Sequence, residues 1–198
     1  MNDTDRAMTK VTKTWTGRPS QRFFHANVKG TGSALSLELH PAHDRVDGSI
    51  MLSMASQMTV GDVRGPNPTF PTFDWEGKMT VKLDFADLSK MLQVFRGECE
   101  SLEDGHGLFH RSPQFSTRIL LRHLIDPVPC YSLELYRSMP GAEDRRARFV
   151  FTPWEALGLA EAIAGSMAVI TFGIPMVVPH DTSAYRSAVR EMGNASAA

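Results

Sequence analysis

The sequence predicts one α+β domain made of two copies of a strands-then-helix unit, and three observations predict it. First, the chain repeats: Phe23-Phe24-His25 precedes the apolar strand Ser33 to Leu39 (SALSLEL), and Leu108-Phe109-His110 precedes Arg118 to Leu124 (RILLRHL) at the same distance. Second, a turn and another alternating strand follow in each half, Ser49 to Ala55 (SIMLSMA) and Tyr131 to Arg137 (YSLELYR). Third, the apolar period switches from two to 3.6 at the same place in both halves. Met79 to Phe85 runs into ADLSKMLQVF, and Ala147 to Phe151 runs into TPWEALGLAEAIAGSMAVITF.

In order along the chain, residues 1–18 read as a flexible polar tail and 19–178 as a single domain, repeat one at about 19–100 and repeat two at about 106–178. With 198 residues, 42% of them hydrophobic, the chain can bury one core. Leu35, Leu37 and Leu39 share one strand face, as do Ile50, Leu52 and Met54, and Tyr131, Leu133 and Leu135, so each sheet has a packed side and a wet side. Gly61 to Pro71 (GDVRGPNPTFP) is a Gly/Pro-rich surface loop leading into Phe73-Asp74-Trp75. The first helix carries the stripe Leu88, Met91, Leu92, Phe95. The polar segment Gly97 to Gly107 connects the halves. Thr152-Pro153-Trp154-Glu155 is a capping box with proline at the first helical position and starts the second helix. Past Pro179, Asp181 is placed to cap a short helix through Arg190, ahead of a disordered tail.

Charge and motifs exclude several classes of function. With 21 Lys+Arg against 22 Asp+Glu, the net charge is -1, so a polyanion must be met by a local basic patch. Cys99 and Cys130, with no CxxC spacing, fit a reducing cytosol and no structural zinc. The N-terminus lacks the apolar core of a signal peptide, which points to a cytoplasmic protein. Ala162 to Val178 carries no charge for 17 residues. Its length, Gly165, Gly173 and Pro175 read better as a helix buried on all sides, in the core or at a subunit interface, than as a membrane span. His40, His43 and Asp44 have metal-ligand types but no further ligand nearby. There is no phosphate loop, dinucleotide fingerprint, paired-carboxylate motif or nucleophile elbow. Cys99 lies between Glu98 and Glu100, which disfavour its thiolate. The expectation is a non-enzyme with no catalytic residues, cofactor or metal.

Three segments resemble a known family. Lys29-Gly30-Thr31-Gly32-Ser33-Ala34-Leu35-Ser36-Leu37-Glu38 is similar to the lysine-glycine-lysine-alanine-alanine-leucine signature and following strand of the Whirly single-strand-binding proteins. Phe73-Asp74-Trp75-Glu76-Gly77-Lys78 resembles their aromatic-Asp-Trp segment, and Leu108-Phe109-His110 the opening of their second half. The resemblance covers roughly Phe23 to Ile174 and agrees in order with the internal repeat. It implies two ββββα repeats forming two antiparallel four-stranded sheets packed through helices. It further implies a homotetramer, centred on the second-repeat helix, that binds single-stranded DNA with little sequence preference in protection, replication, recombination or transcription.

Single-strand binders need cations for phosphates and flat rings for bases. Alternation turns Lys78 and Lys82 outward when Met79, Val81 and Leu83 point inward, and Arg146 and Arg148 outward when Ala147 and Phe149 point inward. Arg118 and Arg122, four apart in a strand, share a face, and Arg22 and Lys29 flank the first aromatic pair. The candidate interface is therefore Lys29, Lys78, Lys82, Arg118, Arg122, Arg146 and Arg148 for phosphates, with Phe24, Trp75 and Phe109 for bases and Tyr136 as a further ring. Ala164, Ala168 and Phe172 are the expected oligomer contacts. RNA binding, or a protein-interaction role on the same fold, is the alternative.

Overall fold

The computed structural model describes residues 18–43, 46–62, 64 and 66–173. The tails, including the helix expected from Asp181, lie outside the described residues. The first repeat runs β1 (Ser20–His25), β2 (Ser33–His40), β3 (Ser49–Thr59), β4 (Thr72–Phe73), β5 (Met79–Leu83) and α1 (Phe85–Phe95). The second runs β6 (Leu108–Arg111), β7 (Ser116–Leu124), β8 (Cys130–Ser138), β9 (Arg145–Phe151) and α2 (Pro153–Phe172). The result is α+β with two antiparallel sheets, as expected. In the first sheet the fourth position is filled by two pieces, because β5 pairs with Ile50–Met54 of β3 while β4 pairs with Gln57 and Thr59. Two residues are too few to show an alternation, which is why β4 escapes the sequence pattern.

Register puts the apolar alternates of both sheets in line. Phe23, Leu35, Met54 and Met79 form one cross-strand row, and Leu37, Leu52 and Val81 the next. In the second sheet Leu121, Leu133 and Phe149 align, beside Ile119, Leu135 and Ala147. These inner faces meet in one core, and Phe23 lies edge-on to Phe151 with ring centroids 5.5 Å apart. Where the inner faces reach the sheet ends, two arginines join the sheets. Arg137 donates to Thr117 Oγ1 at 3.1 Å and to the Thr80 carbonyl, and Arg145 donates to the Gly77 carbonyl. Burial pushes the Arg137 guanidinium down, and the neighbouring charge of Arg145 adds to that.

Both helices start in capping boxes, Asp84 with Asp87 and Thr152 with Glu155. The opening-strand histidines then cross between repeats. His25 of β1 reaches Glu155 of α2 at 2.8 Å, and His110 of β6 reaches Asp87 of α1 at 3.0 Å. Each aromatic-His segment thus docks on the N-terminus of the other repeat's helix. At its far end α2 is tied to the first repeat as well, since Gly48 N donates to the Ile170 carbonyl at 3.0 Å and Ala42 N to the Val169 carbonyl at 3.3 Å. A Cβ on Gly48 would stand 2.5 Å from Ile170 Cα, so only glycine allows that approach.

The expectation of a helix buried on all sides is corrected within the protomer. Ala156, Leu159, Ala160, Ile163 and Ile170 are buried, whereas Trp154, Leu157, Ala168 and Phe172 are exposed. Among the described residues α2 is the one helix long and apolar enough to cross a membrane, and its inner face is packed on the protein's own sheets.

Candidate nucleic-acid interface

The wet faces of the two sheets carry the candidate residues. On the second sheet, pairing sets Phe109, Arg118, Tyr136 and Arg146 side by side across four strands. Strand spacing of about 4.8 Å makes this a continuous row of ring, cation, ring, cation. The Arg118 guanidinium lies 5.4 Å from the Phe109 ring centre and that of Arg146 lies 5.0 Å from the Tyr136 ring centre. The next row is Leu120, Glu134 and Arg148, and the third begins with Arg122 and Ser132. Arg118 is held by the carbonyls of His106 at 2.7 Å and Gly105 at 3.2 Å, which orient its charge without neutralising it. Phe109 and Arg122 are exposed.

One carboxylate interrupts this face. Glu134 accepts from the Tyr136 hydroxyl at 2.5 Å and from Arg146 at 2.7 Å. Burial pushes its carboxyl up, but the hydrogen bonds from Tyr136 and Arg146 and the charges of Arg146 and Arg148 outweigh that and hold it below the usual carboxylate range. The same contact raises the Tyr136 phenol, chiefly because its hydroxyl is bonded to Glu134.

On the first sheet the outer face is hollow. A cavity of about 370 Å³ is lined by Arg22, Glu38, Trp75 and Lys78, with the hydroxyls of Ser36, Ser53 and Thr80. Arg22 stands 5.9 Å from the Trp75 ring centre. Beside it, Phe24, Phe73 and Trp75 form an aromatic group, with Phe24 to Phe73 at 5.5 Å and Phe24 to Trp75 at 6.4 Å. These rings line a second, more apolar hollow of about 570 Å³. Lys82 is exposed on the same face, opposite Met51. His40, considered as a metal ligand type, lies 2.9 Å from Glu38 Oε1 in the first hollow.

Lys29 sits apart from both groups, exposed at the tip of the β1–β2 loop. That loop is rigidly built. Asn27 Oδ1 accepts from the backbone of Lys29 and Thr31, and the Gln57 side chain accepts from Gly32 N at 3.0 Å while donating to the Asn27 carbonyl. Gly30 takes a φ of 71°, in the left-handed region that favours glycine.

The seven expected cations are therefore solvent-facing and fall into two sheet faces and one loop. The sequence reading missed Phe73 and Glu134 as members. Glu134 is legible as an outward position in YSLELYR, but its meeting with Arg146 and Arg148 follows from the β8–β9 register, which no local pattern shows. Of the expected oligomer contacts, Ala168 and Phe172 are exposed, whereas Ala164 packs against the chain's own core. That places Ala164 on the inner side of α2 rather than on an outward-facing surface.

No protein-family model and no curated relative matches the chain. Solved structures do. The crystal structure of WHY1 from Arabidopsis thaliana aligns with a TM-score of 0.61 at 15% identity, covering 88% of this chain and 92% of that one. The structure of the plant transcriptional regulator PBF-2 aligns with a TM-score of 0.59 at 16% identity, covering 88% and 87%. WHY3 from Arabidopsis thaliana aligns with a TM-score of 0.57 at 17% identity, covering 86% and 96%. All three are Whirly proteins, and each match covers 86% or more of this chain. Two strand-rich repeats, two antiparallel sheets and a closing helix in each half make the fold of this protein Whirly-like.

Proposed function

We propose that this protein binds single-stranded nucleic acid, DNA in the first place, with little sequence preference, and that it does so as a homotetramer in the cytoplasm. The observation that carries the reading is the row Phe109, Arg118, Tyr136, Arg146 on the wet face of the second sheet. Alternating rings and cations suit a flexible strand, whose bases stack at about 1 to 3 kcal/mol each while its phosphates meet the guanidiniums. Phe24, Phe73 and Trp75 with Arg22, Lys78 and Lys82 offer the same pair of chemistries on the first sheet. A duplex hides its base faces, so rings on an open sheet favour the single strand. The relation of the fold to a plant transcriptional regulator supports a role on DNA, in protection, replication, recombination or transcription. The exposed apolar side of α2 supports self-association, with Ala168 and Phe172 in the contact.

The near-neutral net charge favours a second reading, in which the same wet faces bind protein. Fluorescence anisotropy decides between them, using a labelled oligothymidine strand of about 30 nucleotides, competed with duplex and with RNA across a salt series. Salt-sensitive binding that prefers the single strand supports the proposal. Absence of binding at low salt moves the function to protein interaction, and preference for the RNA competitor changes the ligand to RNA.

A further inference from the structure

Among the described residues Glu134 is the one carboxylate among the outward-facing arginines of the second sheet, and the groups around it converge. The Tyr136 hydroxyl and Arg146 Nη2 donate to Oε2 at 2.5 and 2.7 Å. The Ser132 hydroxyl donates to Oε1 at 3.3 Å, and Arg148 Nε stands 3.8 Å from the same oxygen. Arg148 Nε is in turn 2.9 Å from Ser132 Oγ, so the hydroxyl and the guanidinium are fixed relative to each other. Two hydroxyls and two guanidiniums around a pair of oxygens form the donor set that the non-bridging oxygens of a phosphodiester take.

We propose that this cradle is a phosphodiester site occupied at rest by the protein's own side chain, and that an incoming strand must displace the Glu134 carboxylate. The proposal deepens the single-strand reading and rests on it. A phosphate that joined the cluster without displacing Glu134 would meet a like charge at close range. Displacement instead exchanges one anion for another, so Arg146 and Arg148 add little net attraction. On the second sheet the salt-dependent part of binding then falls to Arg118 and Arg122, which have no carboxylate partner among the described residues. Glu134 acts as a brake that keeps binding weak and exchangeable. It stays charged through neutral pH, as its lowered acidity range requires, so the brake is released by competition and not by protonation.

The sign of one substitution tests this. Glu134→Gln keeps the shape and one of the two acceptor oxygens and removes the charge. Affinity for the oligothymidine strand is expected to tighten about two- to fivefold. The log-log salt slope should steepen by about 0.7 for each phosphate contact freed. Unchanged or weaker binding by a variant that melts like the parent overturns the proposal and leaves the single-strand reading intact. Absence of binding by both proteins at low salt removes both.

A comparison within the parent background decides the matter even if that variant does not fold. Arg146→Ala should lower the salt slope less than Arg122→Ala, because only Arg146 is already neutralised. Equal losses overturn the proposal.

Discussion

At the scale of single residues, the proposed single-strand reading expects cations and rings on the wet faces to make separable contributions. Arg118→Ala combined with Arg122→Ala removes two charges with no carboxylate partner among the described residues, so the salt slope for single-strand binding should become shallower by about 1.4, two contacts at about 0.7 each. An unchanged slope, read from anisotropy at four or more salt concentrations, would take both side chains out of the interface. Trp75→Ala should weaken binding roughly 5- to 150-fold, the equivalent of about 1 to 3 kcal/mol, with no change in slope, since a stacked ring carries no counterion. A change of slope there would mean that the indole acts by holding Arg22, 5.9 Å from its ring centre.

At the scale of elements, the helix N-termini are where the repeats hold each other. Thr152→Ala removes the side-chain cap of α2 and should cost about 1 kcal/mol, measurable as a lower denaturant midpoint with unchanged slope. Glu155 adds a pH dependence. Burial pushes its carboxyl up, but the Thr152 backbone and hydroxyl and His25 hold it below the usual glutamate range. A depressed folded value means that its contribution is complete above the ordinary glutamate range and is lost as pH falls through the folded value. Glu155→Gln should therefore melt below the parent protein at pH 7, and the gap should close on acidification into that lower range. A gap that stays constant would show that the contact is a neutral hydrogen bond. The same logic explains why the two aromatic-His segments recur. Each histidine holds the first turn of the other repeat's helix, so the histidine of the motif serves the pairing of repeats, while the phenylalanine before it, Phe24 or Phe109, stays exposed.

At the scale of the whole molecule, the question is what covers α2. Its inner residues fill the core between the sheets, and its outer side presents Leu157, Ala168 and Phe172 to solvent. Light scattering at micromolar concentration should report a tetramer. Ala168→Asp should reduce it to smaller species while leaving the melting of the protomer fold in place, because that position is exposed in the single chain and a carboxylate is costly only once buried. A monomeric parent protein would leave the helix face unexplained by self-association, and a tetrameric variant would locate the contact elsewhere.

The repeat, the strand faces and both helices are legible in the sequence because each is written in local periodicity: Leu35, Leu37 and Leu39 alternate, Leu88, Met91, Leu92 and Phe95 step by turns, and Thr152 to Glu155 is a cap at fixed spacing. The outward direction of Lys78, Lys82, Arg118, Arg122, Arg146 and Arg148 follows from the same alternation. Partners across strands do not. Glu134 meets Arg148 only because the β8–β9 hairpin sets that register, and a slip of one residue would turn it to the core. His25 finds Glu155 130 positions away, Phe24 finds Phe73 and Trp75 through the short strand β4, and Arg137 bridges to Thr80 of the other sheet. The sequence by itself determined which side chains of the strands face water. Only the tertiary structure decided which of them meet, because contacts between distant segments depend on loop geometry and on the packing of one repeat against the other, neither of which leaves a periodic trace.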